Sequence, residues 1–203
     1  MPLSQLVYAR IQEGAGSPRI ITLHKHFQLG ADVAEYALAA SPDARIIGLE
    51  SSKGIYVEQV IRGYTWFLGP LDRPAPFFFG DALAEIERFL WDEVDRQSGD
   101  QVELPFLLGV EQGAIMALAA AAAVPNLLSG VIAIDASFPT VPGWDPPLAP
   151  LNGLPILLAE SSQNSDQIAE EFQDWGGEVS IAAESGDEIR DWLTKQPVRM
   201  LER

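Results

Sequence analysis

Short apolar runs alternate with segments of helical periodicity along most of this 203-residue chain. The runs are rich in aliphatic and β-branched residues, which is typical of buried strands. They lie at residues 3–11, 19–23, 44–49, 104–110, 130–135, 155–159 and 178–183. Strands that alternate with helices need crossover connections, and these give a parallel sheet covered on both faces. We therefore predict one α/β domain over residues 1–203, with a mostly parallel sheet and helices on both faces.

Five segments between these runs have apolar residues at helical spacing: 32–40, 81–96, 114–123, 166–175 and 187–193. The clearest is 81–96, where Asp81 stands at the position of an N-terminal cap and one apolar stripe follows. The stretch 50–79 is rich in glycine, proline and aromatic residues, and we predict a long irregular loop there. Loops of this length in one domain are usually functional or cover a core.

Acidic residues outnumber basic ones by 29 to 13, which gives a formal net charge of −16. Such a surface repels phosphate backbones and anionic membranes, so we expect neither nucleic acid nor a membrane as partner. The absence of cysteine excludes disulfides, thiolate metal sites and a cysteine nucleophile. The N-terminus lacks a basic start followed by an apolar block, and the longest apolar run, near 114–124, is too short to span a bilayer. We therefore expect a cytoplasmic protein.

A predicted strand, a glycine-flanked turn and a predicted helix follow one another around Glu111. The turn has the sequence Gly109-Val110-Glu111-Gln112-Gly113. Glycines two positions before and two after the central residue permit a sharp strand-to-helix turn in which a Cβ atom would clash. In a nucleophile elbow, this G-x-nucleophile-x-G pattern presents a catalytic side chain at the edge of a sheet. Here the central residue is a glutamate.

The chain resembles the phospholipase/carboxylesterase type of α/β-hydrolase. The strongest match is the block 107–139, LLGVEQGAIMALAAAAAVPNLLSGVIAIDASFP, which follows the family's pattern nearly without gaps. Segment 63–67, GYTWF, is similar to an aromatic motif before the long helix, and segment 21–27, ITLHKHF, to a strand followed by an HGxG loop. The order of elements agrees from about residue 19 to residue 193. The resemblance implies the three-layer α/β-hydrolase fold.

The resemblance places a serine nucleophile at Glu111, an acid near Gln163 and a histidine base near Glu184 or Ser185. None of these positions has the family's residue, and the nearest carboxylate downstream of the acid position is Asp166. A catalytic triad works as a unit, and the loss of one member can reduce the rate by about 10⁴. The resemblance therefore indicates a member of the fold that has lost serine-hydrolase activity.

The oxyanion loop of the family is altered as well. The resemblance assigns two of its glycines to Lys25 and Phe27, where glycine lets backbone N–H groups approach a substrate oxygen. Phe27 would crowd that approach, and the N–H of Gln112 remains as a single donor. Trp66 belongs either to the core or to the roof of an apolar pocket. We expect these four residues to border the cleft in which a small molecule would bind.

His24 and His26 follow the second predicted strand and are the only histidines of the chain. Paired with Glu111, either one would give a non-standard ester or lactone hydrolase, with the carboxylate as nucleophile and the histidine activating water. The alternative for His24 is a packed, hydrogen-bonded interior position. We favour a catalytically disabled relative that retains its cleft for small-molecule binding or as an interaction surface. The alternatives are the non-standard hydrolase and a structural subunit of an oligomer.

Three glutamates stand at or just after the ends of predicted strands: Glu111, Glu160 and Glu184. Because the carboxyl ends of parallel strands meet at one edge of a sheet, these side chains could together hold Mg²⁺, Mn²⁺ or an organic amine. The simpler expectation is that Glu160 and Glu184 point into solvent or pair with Lys25. We expect no cofactor and no metal.

Overall fold

The computed structural model describes residues 7–12, 16–160 and 165–202, and for 7–12 and Glu160 it describes the backbone. The strands are β1 (Val7–Gln12), β2 (Arg19–Leu23), β3 (Arg45–Glu50), β4 (Gly54–Val57), β5 (Val60–Tyr64), β6 (Gln101–Glu103), β7 (Phe106–Val110), β8 (Gly130–Ile134), β9 (Pro155–Glu160), β10 (Glu178–Ala183) and β11 (Met200–Glu202). Seven of them form one sheet in the order β1-β3-β2-β7-β8-β9-β10. β1 pairs antiparallel with β3, and the other neighbours are parallel. This confirms the predicted mostly parallel sheet.

Helices cover both faces of this sheet, as predicted. They are α1 (Gly30–Ala40), α2 (Pro76–Asp95), α3 (Gln112–Ala123), α4 (Ser165–Asp174) and α5 (Gly186–Leu193). α1 and α5 pack on one face through buried residues such as Val33 and Ile189. α2, α3 and α4 pack on the other, where Phe89, Leu118 and Phe172 are fully buried. The carboxyl ends of β2, β3 and β7 to β10 therefore meet at one edge between the helix layers.

Helix α3 lies at the centre of the larger core. Its residues from Gln112 to Ala122 are all buried, because the helix is enclosed by the sheet and by α2. A helix that is apolar all round belongs in the interior, and its run of alanines lets the neighbouring elements approach closely. The position of α3 is thus fixed by packing, and with it the turn that precedes the helix.

The prediction for the start of α2 was wrong. The helix begins at Pro76, so Asp81 lies inside it and does not cap it. Proline is favoured in the first turn of a helix, where its missing N–H has no intrahelical acceptor. The Asp81 carboxylate instead lies 2.8 Å from Lys53 Nζ. The phenylalanines at 77–79 therefore belong to a helix and not to a loop.

The stretch 50–79 is also more regular than predicted, because β4 and β5 form an antiparallel hairpin. Its two turn residues, Glu58 and Gln59, both have positive φ, at 52° and 65°. Such turns usually have asparagine or glycine at these positions, so no residue pattern predicted this one. A further two-stranded sheet pairs β6 with β11, which the sequence analysis also missed. Among the described residues, no helix combines the length and the apolar character needed to cross a membrane.

Candidate functional site

The turn between β7 and α3 has the backbone of a nucleophile elbow. Glu111 has φ 48° and ψ −109°, a conformation that side-chain-bearing residues rarely adopt. Its N–H donates to the carbonyl oxygen of Ile134 at 2.9 Å, and its own carbonyl accepts from the N–H of Ile115 at 3.0 Å. Strain of this kind persists only where the surrounding structure enforces it. The elbow geometry is therefore kept with a glutamate at its apex.

The two flanking glycines show what enforces this geometry. A Cβ at Gly109 would overlap the backbone of Gly113, and a Cβ at Gly113 would overlap the carbonyl group of Leu23 at the end of β2. Backbone atoms cannot rotate away as a flexible side chain can. These two positions require glycine for packing alone, whatever the residue between them does.

The Glu111 side chain forms an ion pair across the edge of the sheet. Its Oε1 lies 3.5 Å from Nζ of Lys25, and each side chain is 38% exposed. Lys25 is one of the two residues that the resemblance assigns to glycines of the oxyanion loop. The positions expected of a nucleophile and of an oxyanion donor are thus joined by opposite charges, in reach of solvent.

His24 is buried and engaged at both ring nitrogens. Its Nε2 accepts from the N–H of Ser51 at 3.2 Å, so Nδ1 has the proton and donates to the carbonyl of Lys25 at 2.8 Å. The ring stacks on Trp66 with 4.8 Å between centroids. Burial lowers the pKa of His24 to about 4, which keeps the ring neutral. This is the packed interior position that the sequence analysis set against a catalytic one.

His26 is exposed, and its Nδ1 lies 3.1 Å from Oγ1 of Thr65. Thr65 in turn contacts the side-chain oxygen of Gln112 at 3.0 Å and the carbonyl of Phe67 at 2.8 Å. This contact directs the Nδ1 side of the imidazole toward the segment that precedes α2. In the described part of the chain, the hydrogen-bond partners found for the two histidines are Ser51, Lys25 and Thr65, and the Glu111 carboxylate is not among them.

Gln112 and Trp66 are structural. The Gln112 side chain is buried; it accepts from the N–H of Trp66 and donates to the carbonyl of Phe67, each at 3.1 Å. Trp66 is fully buried and its indole N–H donates to the carbonyl of His24 at 2.8 Å. Trp66 therefore belongs to the core and is not the roof of a pocket. The part of Gln112 that faces the elbow turn is its backbone N–H, at the first position of α3.

Phe27 has φ 65° and is 47% exposed. The positive φ fits a position that the resemblance assigns to glycine. Its N–H donates to the carbonyl of Tyr64 at 2.9 Å, and a Cβ at Gly63 would lie 2.5 Å from the Phe27 carbonyl carbon. The loop is therefore packed tightly against β5. A ring exposed to this degree does not fill a closed pocket, so Phe27 does not plug the cleft.

The residues at the predicted base position stabilise the start of α5. Ser185 is its N-cap and accepts from the N–H of Glu188 at 3.2 Å. The Glu188 side chain accepts from the N–H of Ala183 at 2.7 Å, which links the first turn of the helix to the end of β10. Gln163, at the predicted acid position, lies outside the described residues.

Two of the three glutamates of the speculative cation site have other partners. Oε1 of Glu184 accepts from the hydroxyl of Tyr36 at 2.8 Å, a bond that raises the pKa of Tyr36 above its ordinary value. Glu111 pairs with Lys25, and the side chain of Glu160 is outside the description. Within the described ranges, no three groups of the kinds that bind metals come together. Glu111 and Glu184 thus have separate partners, the first cationic and the second neutral.

A pocket of about 180 Å³ opens at the same edge of the sheet, next to the segment after β8. Its lining residues are Asp72, Ser137, Phe138, Gln167, Ile168 and Glu171. This site was not predicted from the sequence. The residues come from three segments far apart in the chain and have no motif, so only the fold brings them together.

The chain was compared with known proteins. No protein-family model and no curated protein matches its sequence. Among solved structures, a carboxylesterase from Mesorhizobium loti superimposes with a TM-score of 0.79 at 16% identity, covering 96% of this chain and 97% of that one. A Bacillus cereus carboxylesterase gives 0.70 at 16% identity over 92% and 90% of the two chains, and esterase PE8 gives 0.68 at 20% identity over 94% and 98%.

The chain has the α/β-hydrolase fold of these carboxylesterases. The hydrolase fold explains why Glu111 has strained backbone angles and why glycines flank it, since the elbow is the turn on which such enzymes place a nucleophile. At these identities the likeness concerns the fold. What this chain does with the fold depends on the residues described above.

Proposed function

We propose that this chain is a non-hydrolytic relative of the carboxylesterases that binds a small molecule at the carboxyl edge of its sheet. The ion pair between Glu111 and Lys25 is the observation that favours this most. It occupies the place where the resemblance puts a serine and an oxyanion glycine. A carboxylate held by an ammonium group is a weaker nucleophile than a free one, and hydrolysis of an ester intermediate would also need a base.

The partners of the two histidines support the proposal. A carboxylate nucleophile needs an imidazole within about 2.6–3.2 Å, directly or through one water. Burial keeps His24 neutral, its two ring nitrogens are hydrogen-bonded to Ser51 and Lys25, and His26 contacts Thr65. Among the contacts of the described residues, none joins Glu111 to a histidine, and this argues against an ester or lactone hydrolase that uses such a pair.

Other parts of the proposal rest on composition. The formal charge of −16 argues against nucleic acid and anionic membranes as partners. A cytoplasmic location and a homo-oligomeric state stay predictions from the sequence. A structural subunit would need no pocket, whereas a pocket is present at the edge where ligands of such folds bind.

The test is ester hydrolysis by the purified protein, with short p-nitrophenyl esters and simple lactones as probes. We expect rates equal to those without protein, for the wild type and for Glu111→Gln alike. Hydrolysis by the wild type that Glu111→Gln abolishes would overturn the proposal. Glu111→Ser provides the matched control: we expect it to stay inactive, because a serine at the elbow still lacks a base to activate it.

A further inference from the structure

The pocket beside α4 lies at the functional edge of the sheet. Ser137 and Phe138 follow the carboxyl end of β8, and Gln167, Ile168 and Glu171 belong to the helix that follows β9. Asp72, from the segment before α2, completes the rim. Two carboxylates and no cationic side chain line this pocket. Its chemistry is therefore suited to a positively charged ligand.

Glu171 is the carboxylate within the pocket. Its side chain is partly buried, and burial is the one cause that raises the pKa of its carboxyl group above the ordinary value. Across the described residues, this carboxylate has neither a hydrogen-bond donor nor an ion-pair partner. A partly desolvated carboxylate without a partner is stabilised when a cation binds next to it. Asp72 differs, because it is 69% exposed and lies 3.5 Å from Nε of Arg73.

The hydroxyl of Ser137 is a second, independent sign of a missing partner. Its Oγ is buried, and no hydrogen-bond partner for it is found in the described part of the chain. Buried polar atoms are nearly always hydrogen-bonded, because an unmade bond is unfavourable by about 1–3 kcal/mol. Ser137 lines the same pocket as Glu171. Two polar side chains of this pocket therefore lack a partner among the described residues.

Apolar and aromatic groups form the rest of the wall. Phe138 packs in a cluster of rings, with centroids 5.1 Å from Phe172, 5.5 Å from Trp175 and 5.5 Å from Trp144. Ile168 is buried beneath the pocket. An aromatic face attracts a cation that lies within about 6 Å of its centre. The combination fits an organic cation with a small apolar body better than a bare metal ion, which needs more oxygen ligands than this pocket offers.

We propose that this pocket binds the ammonium group of a small primary amine, with Glu171 as its counter-ion and the Ser137 hydroxyl as a second contact. The inference deepens the proposed function and rests on it, since it names the class of ligand that the edge of the sheet would hold. The net negative charge of the chain adds a general attraction for cations. The experiment must therefore separate this pocket from that general attraction.

The experiment is a titration of the ¹⁵N-labelled protein with benzylammonium chloride, at constant ionic strength and neutral pH. We expect saturable shifts centred on the amides of Ser137, Phe138 and Glu171. Benzyl alcohol has the same apolar body without the charge, and we expect its binding to be at least about tenfold weaker. Comparable binding of the alcohol, or no saturable shifts, would overturn the proposal.

Two variants with the same change of charge show whether the pocket is responsible. Glu171→Gln removes the proposed counter-ion and should weaken benzylammonium binding about tenfold or more. Glu170→Gln removes an exposed carboxylate one position away, and should change the affinity less than about twofold. Equal losses in both would contradict the proposal, because they would indicate attraction to the whole acidic surface.

Ser137→Ala is a second variant within the pocket. We expect it to weaken benzylammonium binding severalfold while the thermal unfolding midpoint equals or exceeds that of the wild type, because no hydrogen-bond partner of this hydroxyl is found among the described residues. Unchanged affinity would contradict the role of Ser137. The outcomes are independent of the hydrolysis assay: ester hydrolysis through Glu111 would overturn the proposed function, whereas absent amine binding in an inactive protein would overturn only this inference.

Discussion

The turn after β7 and the turn after β10 lie at the same edge of the sheet, but they differ in which features of a hydrolase active site they have. After β7, Glu111 has the backbone angles of a nucleophile elbow, and glycines pack on both sides of it. After β10, Ser185 has an extended backbone at φ −140° and caps α5. The first turn has the backbone geometry of a hydrolase elbow, with a glutamate where the resemblance puts the serine nucleophile. The second turn lacks the histidine that the resemblance puts there, and its serine caps a helix.

The difference teaches which features of the fold depend on packing and which depend on chemistry. The elbow is enforced by backbone contacts of Gly109 and Gly113, and these contacts support the position of the central helix α3. A catalytic histidine is needed only for the reaction. In the non-hydrolytic relative that we propose, the first feature would persist, and the second position is filled by residues that serve local stability, here Ser185 and Glu188.

The largest effect is expected from Gly113→Ala, which tests whether packing enforces the elbow. Its new Cβ would overlap the carbonyl of Leu23, so the free energy of unfolding should fall by about 3 kcal/mol or more. The control is Gly80→Ala in α2, where a Cβ meets nothing within 4 Å. That change should raise stability by about 0.5–1 kcal/mol. Denaturant unfolding measures both changes. A Gly113→Ala variant as stable as the wild type would show that packing does not enforce the elbow.

A smaller effect is expected from the pH dependence that His24 confers, because burial lowers its pKa from 6.5 to about 4. The unfolded chain takes up a proton below about pH 6.5, and the folded chain does so only near pH 4. His24 therefore destabilises the fold as the pH falls through this range, by up to about 3 kcal/mol.

The check is the free energy of unfolding between pH 7 and pH 4 for the wild type and for His24→Gln. We expect His24→Gln to be less stable at pH 7, because it loses the stacking on Trp66, but to lose less stability on acidification. Parallel pH curves for the two proteins would show that His24 is not held neutral in the interior.

The smallest effect concerns the other turn. Ser185→Ala removes the side-chain acceptor for the N–H of Glu188 and should lower the free energy of unfolding by about 1 kcal/mol. Ser185→Asp keeps an acceptor at the cap and should stay within about 0.5 kcal/mol of the wild type. If Ser185→Ala leaves the unfolding midpoint unchanged, the capping role assigned to this position is wrong.

The sequence predicted the main sheet and the five helices because each has a local pattern of apolar residues. The hairpin was missed because its turn, Glu58-Gln59, lacks the residues that usually adopt positive φ. β6 and β11 were missed because three-residue strands form through pairing between distant parts of the chain. The start of α2 was placed too late because the aromatic residues and glycine before Asp81 are typical of a loop.

The candidate site divides in the same way. The elbow could be predicted because its glycines stand within five residues of one another. The hydrogen bonds of His24, the ion pair of Glu111 with Lys25 and the pocket at Glu171 join residues that are far apart in the sequence. Whether a histidine serves a carboxylate or a buried backbone group depends on such contacts, which no local pattern encodes.

NMR titration of the two imidazoles is the most direct test of whether either histidine pairs with the Glu111 carboxylate. The chain has only two histidines, so long-range ¹⁵N spectra resolve both, and His26→Asn assigns them. We predict that Glu111→Gln leaves both titration curves unchanged and that His24 is the neutral Nδ1–H tautomer. A histidine paired with Glu111 would have its pKa raised by the carboxylate, so a fall of about one unit in either pKa on Glu111→Gln would show that such a pair exists.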